Sequence, residues 1–107
     1  MRLSPRIPID RVAIADFCRR WKILDFALFG SVLREDFRSD SDVDVLVAFE
    51  PGSGWSLLDH VTMEEELSSL FGRKVDLVTR PAIERSTNWI RRRAILDTAQ
   101  PIYHVPG

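Results

Sequence analysis

The sequence lacks the features of a secreted or membrane-bound chain. Its single cysteine, Cys18, cannot form a disulfide within the chain. Its apolar runs, such as residues 43–49, are interrupted by charge and are far too short to cross a bilayer. No basic segment followed by an apolar one precedes the first amphipathic stretch. We therefore expect a cytoplasmic protein in a reducing environment, with no membrane partner.

The sequence also lacks an excess of charge of either sign. Its 15 lysines and arginines nearly balance 16 aspartates and glutamates, giving a net charge of −1 at pH 7. This excludes a chain that coats nucleic acid through its overall charge, so we expect no strong nucleic-acid binding. Hydrophobic residues make up 45% of the 107 positions, enough for one core, and we predict a single domain over residues 1–107.

Periodic apolar residues predict three main helices. Asp10 is placed to cap the first, and Ser56 with Asp59 resembles a capping box at the start of the second. Pro81 favours the start of the third, which is expected to extend to about Asp97. The side chains expected to line the packed face are Leu57, Leu58, Val61, Leu67, Leu70 and Phe71 in the second helix, and Ile83, Thr87, Ile90 and Ala94 in the third.

Short stretches rich in valine and aromatic residues predict the strands, which are residues 23–29, 42–49 and 74–79. The tail, residues 101–105, fits either a short extended piece or an ordered end. Both alternation classes of residues 42–49 are largely apolar, as in a strand covered on both faces. The predicted fold class is therefore α/β (α+β): a small mixed β-sheet of about three strands with packed helices.

Acidic residues interrupt two of these apolar strands. Asp42 and Asp44 are two residues apart, so in a strand their side chains point to the same face. Such a pair repels itself, and a partly desolvated strand rarely carries that repulsion without a cation to offset it. Asp76 can join them if the third strand lies beside the second. An all-oxygen cluster of this kind suits Mg²⁺, and two ions would orient a triphosphate and activate an incoming hydroxyl.

A glycine and a serine after the first strand indicate where a phosphate would lie. Gly30 lets the backbone approach a ligand closely, and a helical turn after it directs N–H groups at phosphate oxygens. The Ser31 hydroxyl adds one donor. Arg34, Arg38 and Lys74 are candidates to reach the β- or γ-phosphate.

Taken together, Gly30-Ser31, ten intervening residues and Asp42-Val43-Asp44 resemble the signature of the DNA polymerase β-type nucleotidyltransferase superfamily. The close spacing, the later segment VDLVT at residues 75–79 and the compact length resemble the minimal nucleotidyltransferase (MNT) group in particular. The resemblance extends over residues 9–103. It implies a nucleotidyltransferase fold.

The resemblance also implies roles and partners. MNT proteins are similar to antitoxins that use ATP to adenylylate a tyrosine on a helical HEPN-type ribonuclease partner. The chain is therefore expected to be a Mg²⁺-dependent protein adenylyltransferase acting within a toxin–antitoxin pair. The residues implied are Asp42, Asp44 and Asp76 as metal ligands and catalytic residues, with Asp76 as base, and Gly30 and Ser31 as nucleotide-binding residues.

Two alternatives stay open: a non-catalytic module that neutralises a partner by occlusion, and a nucleotidyltransferase that acts on a small molecule or RNA. Three mutually repelling acids favour an enzyme over a pure binder. A chain this short leaves little room to hold a nucleic-acid primer, which favours a protein acceptor. Trp55, in a glycine-flanked loop, is the best candidate for touching a partner. The consecutive arginines at residues 91–93 fan around a helix and are interpreted as a solvated face.

Overall fold

The computed structural model describes residues 9–33 and 41–105, so the predicted phosphate contacts Arg34 and Arg38 lie outside the described residues. None of the described helices is long and apolar enough to span a membrane. In chain order, the elements are α1 (Arg11–Arg20), β1 (Ile23–Phe29), a 3₁₀ turn (Gly30–Leu33), β2 (Val43–Phe49), α2 (Leu57–Phe71), β3 (Val75–Thr79), α3 (Arg80–Glu84), α4 (Trp89–Thr98) and β4 (Gln100–His104).

The strands form one mixed sheet in the order β3-β2-β1-β4. β2 runs parallel to β3 and antiparallel to β1, and β4 is antiparallel to β1. The predicted mixed sheet with packed helices is confirmed, but within the described residues the sheet has four strands rather than about three. The additional strand is β4, in the tail for which the sequence left a short extended piece or an ordered end open, and its short sequence contains Pro101. Proline lacks an N–H, which makes a strand prediction weak and confines such a strand to an edge.

Both faces of the sheet are covered, as the apolar pattern of β2 predicted. Val43, Val45 and Val47 point into the larger core, where α1 and α2 contribute buried side chains such as Phe17 and Met63. The opposite face carries a smaller core, formed by Phe29, Leu46, Ile83 and Ile95. α3 and α4 therefore cover the face that also carries Asp44, because residues alternate along β2.

The predicted caps of the first two helices are confirmed. The Asp10 carboxylate accepts a hydrogen bond from the Ala13 N–H at 3.0 Å. Ser56 and Asp59 form a full capping box, with each side chain accepting from the other residue's backbone N–H. Gly72 takes a left-handed conformation and ends α2. Local sequence thus fixes where both helices begin, through side-chain caps, and where α2 ends, through a glycine.

The predicted packed face of α2 is wrong in its first two turns. Leu57 and Leu58 are 80% and 78% exposed, and Val61 is also exposed. Met63 and Leu67 supply the buried contacts instead. Leu57, Leu58 and Val61 form a stripe of their own, turned away from the Met63–Leu67 stripe. Periodicity shows that a stripe exists but does not show which of two stripes meets the sheet.

The predicted third helix is divided into α3 and α4. The Asn88 side chain accepts a hydrogen bond from the Arg91 N–H at 3.1 Å and so caps α4 as a new helix. Asn88 with the preceding Ser86 and Thr87 has the composition of a cap rather than of a helix interior. As a result Thr87, Ile90 and Ala94 are exposed, and the buried residue of α4 is Ile95.

α2 protects the edge of the sheet formed by β3. The Val75 N–H donates to the Ser68 hydroxyl at 3.1 Å, and the Leu77 N–H donates to the Glu64 carboxylate at 2.8 Å. These N–H groups lack a strand partner at the edge, and an unsatisfied N–H is both costly and open to pairing with another chain. Ser68 and Glu64, four residues apart on one helix face, satisfy both groups.

The Trp55 side chain, predicted as a partner contact, is half-buried and packs within the chain, where it anchors the loop before α2. Its indole N–H donates to the Trp21 carbonyl at 2.8 Å, and the two rings pack edge to face at 5.0 Å. The exposed tryptophan is Trp89, with 60% of its surface accessible.

Candidate functional site

Two acidic residues are brought together by the parallel pairing of β2 and β3. Asp44 and Asp76 are register partners, so their side chains lie on the same face of neighbouring strands. The Val43 N–H donates to the Lys74 carbonyl at 2.9 Å and fixes this register at the start of both strands. Asp42 comes one residue before β2, at the same end. Asp42 and Asp76 are exposed and Asp44 is half-buried, so this edge is accessible to a ligand.

Gly30 lies directly against the Asp44 carboxylate. In the antiparallel pairing of β1 with β2, Phe29 is the register partner of Asp44 and Gly30 is the next residue. Gly30 has φ of +75°, a left-handed conformation, and a Cβ at this position would overlap Asp44 Oδ2. A side chain is thus excluded by both backbone and space. The 3₁₀ turn that begins at Gly30 and includes Ser31 therefore starts beside the carboxylates.

The carboxylates suit a divalent cation in type and position. Directly opposed like charges on neighbouring strands repel each other, so a bound cation would stabilise this pair. Within residues 9–33 and 41–105, no three His, Cys, Asp or Glu side chains form a ready-made metal cluster. The carboxylate edge is therefore an open site, in which protein side chains would supply only part of a cation's coordination shell. Mg²⁺ usually takes one or two carboxylates and completes its shell with water and substrate phosphates, so an open carboxylate edge fits it.

A cavity of about 320 Å³ adjoins the same glycine. Its walls are Phe29 and Leu33 on one side and Ala94 and Ile95 of α4 on the other. Arg91 also lines it. The apolar pattern gave no sign of this cavity, because it forms only when α4 packs across the end of β1.

The fold described above, a mixed sheet with carboxylates beside a glycine-led turn, is the nucleotidyltransferase fold. The family model described as "Nucleotidyltransferase domain" matches residues 11–102, and the chain belongs to this family. A solved structure provisionally assigned as a minimal nucleotidyltransferase is 37% identical, with a TM-score of 0.66 over 85% of this chain and 87% of that one. The resemblance to the MNT group is therefore confirmed.

Among curated proteins, the chain is similar to the protein adenylyltransferase MntA of Thermococcus cleftensis, with 40% identity over 65 residues. That alignment covers 61% of this chain and 64% of the relative, so the chain spans less than two thirds of the relative's length. A structure of a tri-AMPylated HEPN toxin from Shewanella oneidensis in complex with an MNT antitoxin matches with a TM-score of 0.60 and 20% identity, over 89% of this chain and 70% of that one. This last likeness concerns the fold alone.

Proposed function

We propose that the chain is a Mg²⁺-dependent protein adenylyltransferase that transfers AMP from ATP to a tyrosine hydroxyl of a HEPN-type toxin and so acts as its antitoxin. The observation that carries this proposal is the register pair Asp44 and Asp76 with Gly30 packed against Asp44. Two names support a protein acceptor and a HEPN-type partner: the Thermococcus relative is called a protein adenylyltransferase, and the Shewanella complex contains an AMPylated HEPN toxin.

The proposed chemistry assigns a task to each residue at the carboxylate edge. Asp42, Asp44 and Asp76 would hold Mg²⁺, which when bound neutralises phosphate charge and polarises the phosphate group under attack. Gly30 and Ser31 bring backbone N–H groups to the phosphate oxygens, with Arg34 a predicted further contact.

In the proposed transfer, the acceptor oxygen forms a bond to the α-phosphorus as the bond to the bridging oxygen breaks. Pyrophosphate leaves, and Asp76 accepts the proton of the acceptor hydroxyl. Asp76 suits this role because it is the exposed member of the register pair, where a docked protein can reach it.

The test is transfer of labelled AMP. The chain is incubated with labelled ATP, Mg²⁺ and a HEPN-type protein encoded beside it, and label on the partner is measured. Asp44→Asn should lower transfer by at least about a hundredfold. Mutating a residue that only hydrogen-bonds to a metal ligand already costs about 10- to 100-fold in metal affinity or activity, and Asp44 is a proposed ligand itself. Asp16→Asn, which alters an exposed carboxylate of α1, is the matched control and should transfer normally. Undiminished labelling by Asp44→Asn would remove the basis of the proposal.

The same variant distinguishes catalysis from occlusion. The exposed Leu57 and Leu58 of α2 favour a partner contact that does not depend on the carboxylates. If neutralisation of the toxin is catalytic, cells that carry the toxin should be rescued by the native chain and not by Asp44→Asn. If Asp44→Asn rescues them equally well, the chain acts by binding alone.

A further inference from the structure

The cavity beside Gly30 has the size and position of a ligand subsite. Its volume of about 320 Å³ falls within the range of roughly 300–1,000 Å³ usual for small-molecule sites. Gly30 belongs both to the cavity lining and to the contact with Asp44, so the cavity opens next to the carboxylate edge. Among the residues that the structure describes, Gly30 joins the two places, so a molecule with its phosphates at that edge can extend into the cavity.

The lining favours a flat, largely apolar group. Phe29, Leu33 and Ile95 are buried side chains whose surfaces form the walls, and Ala94 leaves space because its side chain is a single methyl group. A nucleobase is such a group, and every base presents a face that packs on apolar or aromatic side chains. The metal and phosphates would stay outside, at the polar edge.

Among the described residues of this lining, Arg91 is the charged one. Its neighbours on α4 are engaged: Arg92 donates to the Glu84 and Ser86 carbonyls, and Arg93 pairs with Asp97 at 3.3 Å. Within the described part of the chain, the Arg91 guanidinium has no hydrogen-bond or ion-pair partner. A planar guanidinium at a cavity wall is suited to stack on a base or to donate to its ring nitrogens.

We propose that this cavity binds the nucleoside part of the triphosphate and that Arg91 contacts its base. This inference rests on the proposed function. The carboxylate edge then handles phosphates and cation, and α4 supplies the groups that recognise the base. Arg91 is a specificity-determining residue in this arrangement.

A substitution that fills the cavity tests the assignment. Binding to the full chain with Mg²⁺ is measured by calorimetry for an ATP analogue with a non-cleavable α,β linkage and for inorganic tripolyphosphate, which has no nucleoside. Ala94→Trp should weaken binding of the analogue at least about tenfold, because base packing is worth a factor of this order. Tripolyphosphate affinity should stay within about twofold, since its contacts lie outside the cavity. Ala82→Trp, on the exposed surface of α3, is the matched control and should bind both ligands normally.

Arg91→Ala tests the polar contact, with Arg93→Ala as its control. We expect Arg91→Ala to weaken the analogue about fivefold or more and to leave tripolyphosphate unchanged. Equal losses for both ligands would show that Arg91 serves the phosphates and would overturn its assignment to the base.

The outcomes separate this inference from the function on which it rests. If Ala94→Trp binds the analogue as the native chain does, the cavity is not the nucleoside subsite. Poor AMP transfer by that variant would not change this conclusion, because it would then indicate that the cavity holds an acceptor side chain. A parallel loss of tripolyphosphate binding in Ala94→Trp also overturns it. If the native chain binds neither ligand, the proposed function fails and this inference fails with it. Thermal unfolding of each variant establishes that it is folded.

Discussion

Gly30 combines a left-handed backbone conformation with direct contact to the carboxylate of Asp44. Its left-handed φ and its position against Asp44 both exclude a side chain. Gly52 has a similar φ of +80°, but no atom of residues 9–33 or 41–105 lies within 4 Å of its potential Cβ. The two glycines therefore share the conformational constraint, and only Gly30 has the contact with Asp44.

Comparison of Gly30→Ala with Gly52→Ala isolates that contact. Both variants should lose at least about 1 kcal/mol of unfolding free energy, because an alanine is strained in a left-handed conformation, and Gly30→Ala should lose more because its Cβ also overlaps Asp44 Oδ2. Only Gly30→Ala should also lose AMP transfer, since its Cβ displaces the Asp44 carboxylate. Urea denaturation gives the stabilities and labelled ATP gives the transfer. Full transfer by Gly30→Ala would show that the position of the Asp44 carboxylate does not matter.

Cys18 is held in the larger core as a neutral thiol. Burial raises the pKa of Cys18 from 9.0 to about 12, and the nearby charge of Arg19 opposes this only in part. At pH 8 a thiol reagent should therefore label the unfolded chain readily and the native chain only as fast as it opens. Because the folded pKa is raised, this group's contribution to stability is complete below pH 9.0 and is lost as the pH rises towards about 12. Rapid labelling of the native chain would contradict this burial.

At the scale of elements, the contact between Glu64 of α2 and the edge of β3 is the feature to test. Glu64→Leu leaves the Leu77 N–H without its acceptor and should lower the unfolding free energy by about 1–3 kcal/mol. Glu64→Gln retains an acceptor oxygen and should lose less. Glu65→Leu, one residue along and exposed, is the control. If urea denaturation gives the same loss of unfolding free energy for Glu64→Leu and Glu65→Leu, the Leu77 N–H finds another acceptor when Glu64 is removed.

Features that depend on a few neighbouring residues could be predicted from the sequence. The caps at Asp10 and Ser56 are local chemistry, and the valine pattern of β2 predicts a strand covered on both sides. The pairing of β4 with the sheet and the inward face of α2 could not be predicted, because each is set by which distant element packs alongside. Asp42 and Asp44 became candidate site residues through their spacing, and Asp76 through its place in a predicted strand. The cavity lined by Arg91, in contrast, depends on where α4 packs on the sheet.

At the scale of the whole molecule, ligand binding should stabilise the fold. A Mg²⁺ complex of a non-cleavable ATP analogue at 100 times its dissociation constant should raise the unfolding free energy by about 2.7 kcal/mol. Chelation of Mg²⁺ with EDTA should abolish this gain, as should Asp44→Asn. Thermal unfolding with and without the analogue measures the effect. An equal gain in the presence of EDTA would show that nucleotide binding does not need the cation.

The position of β3 at the end of the sheet also affects how activity is lost. β2 and β1 form a central antiparallel pair, with Asp44 on β2, Asp42 directly before β2 and Gly30 directly after β1. Asp76 lies on β3, an outer strand joined to the sheet along one side. Partial detachment of β3, resisted by Ser68 and Glu64, removes Asp76 while the rest of the sheet stays assembled. Such fraying costs less free energy than complete denaturation. On heating, loss of activity should therefore precede the unfolding of the remaining structure.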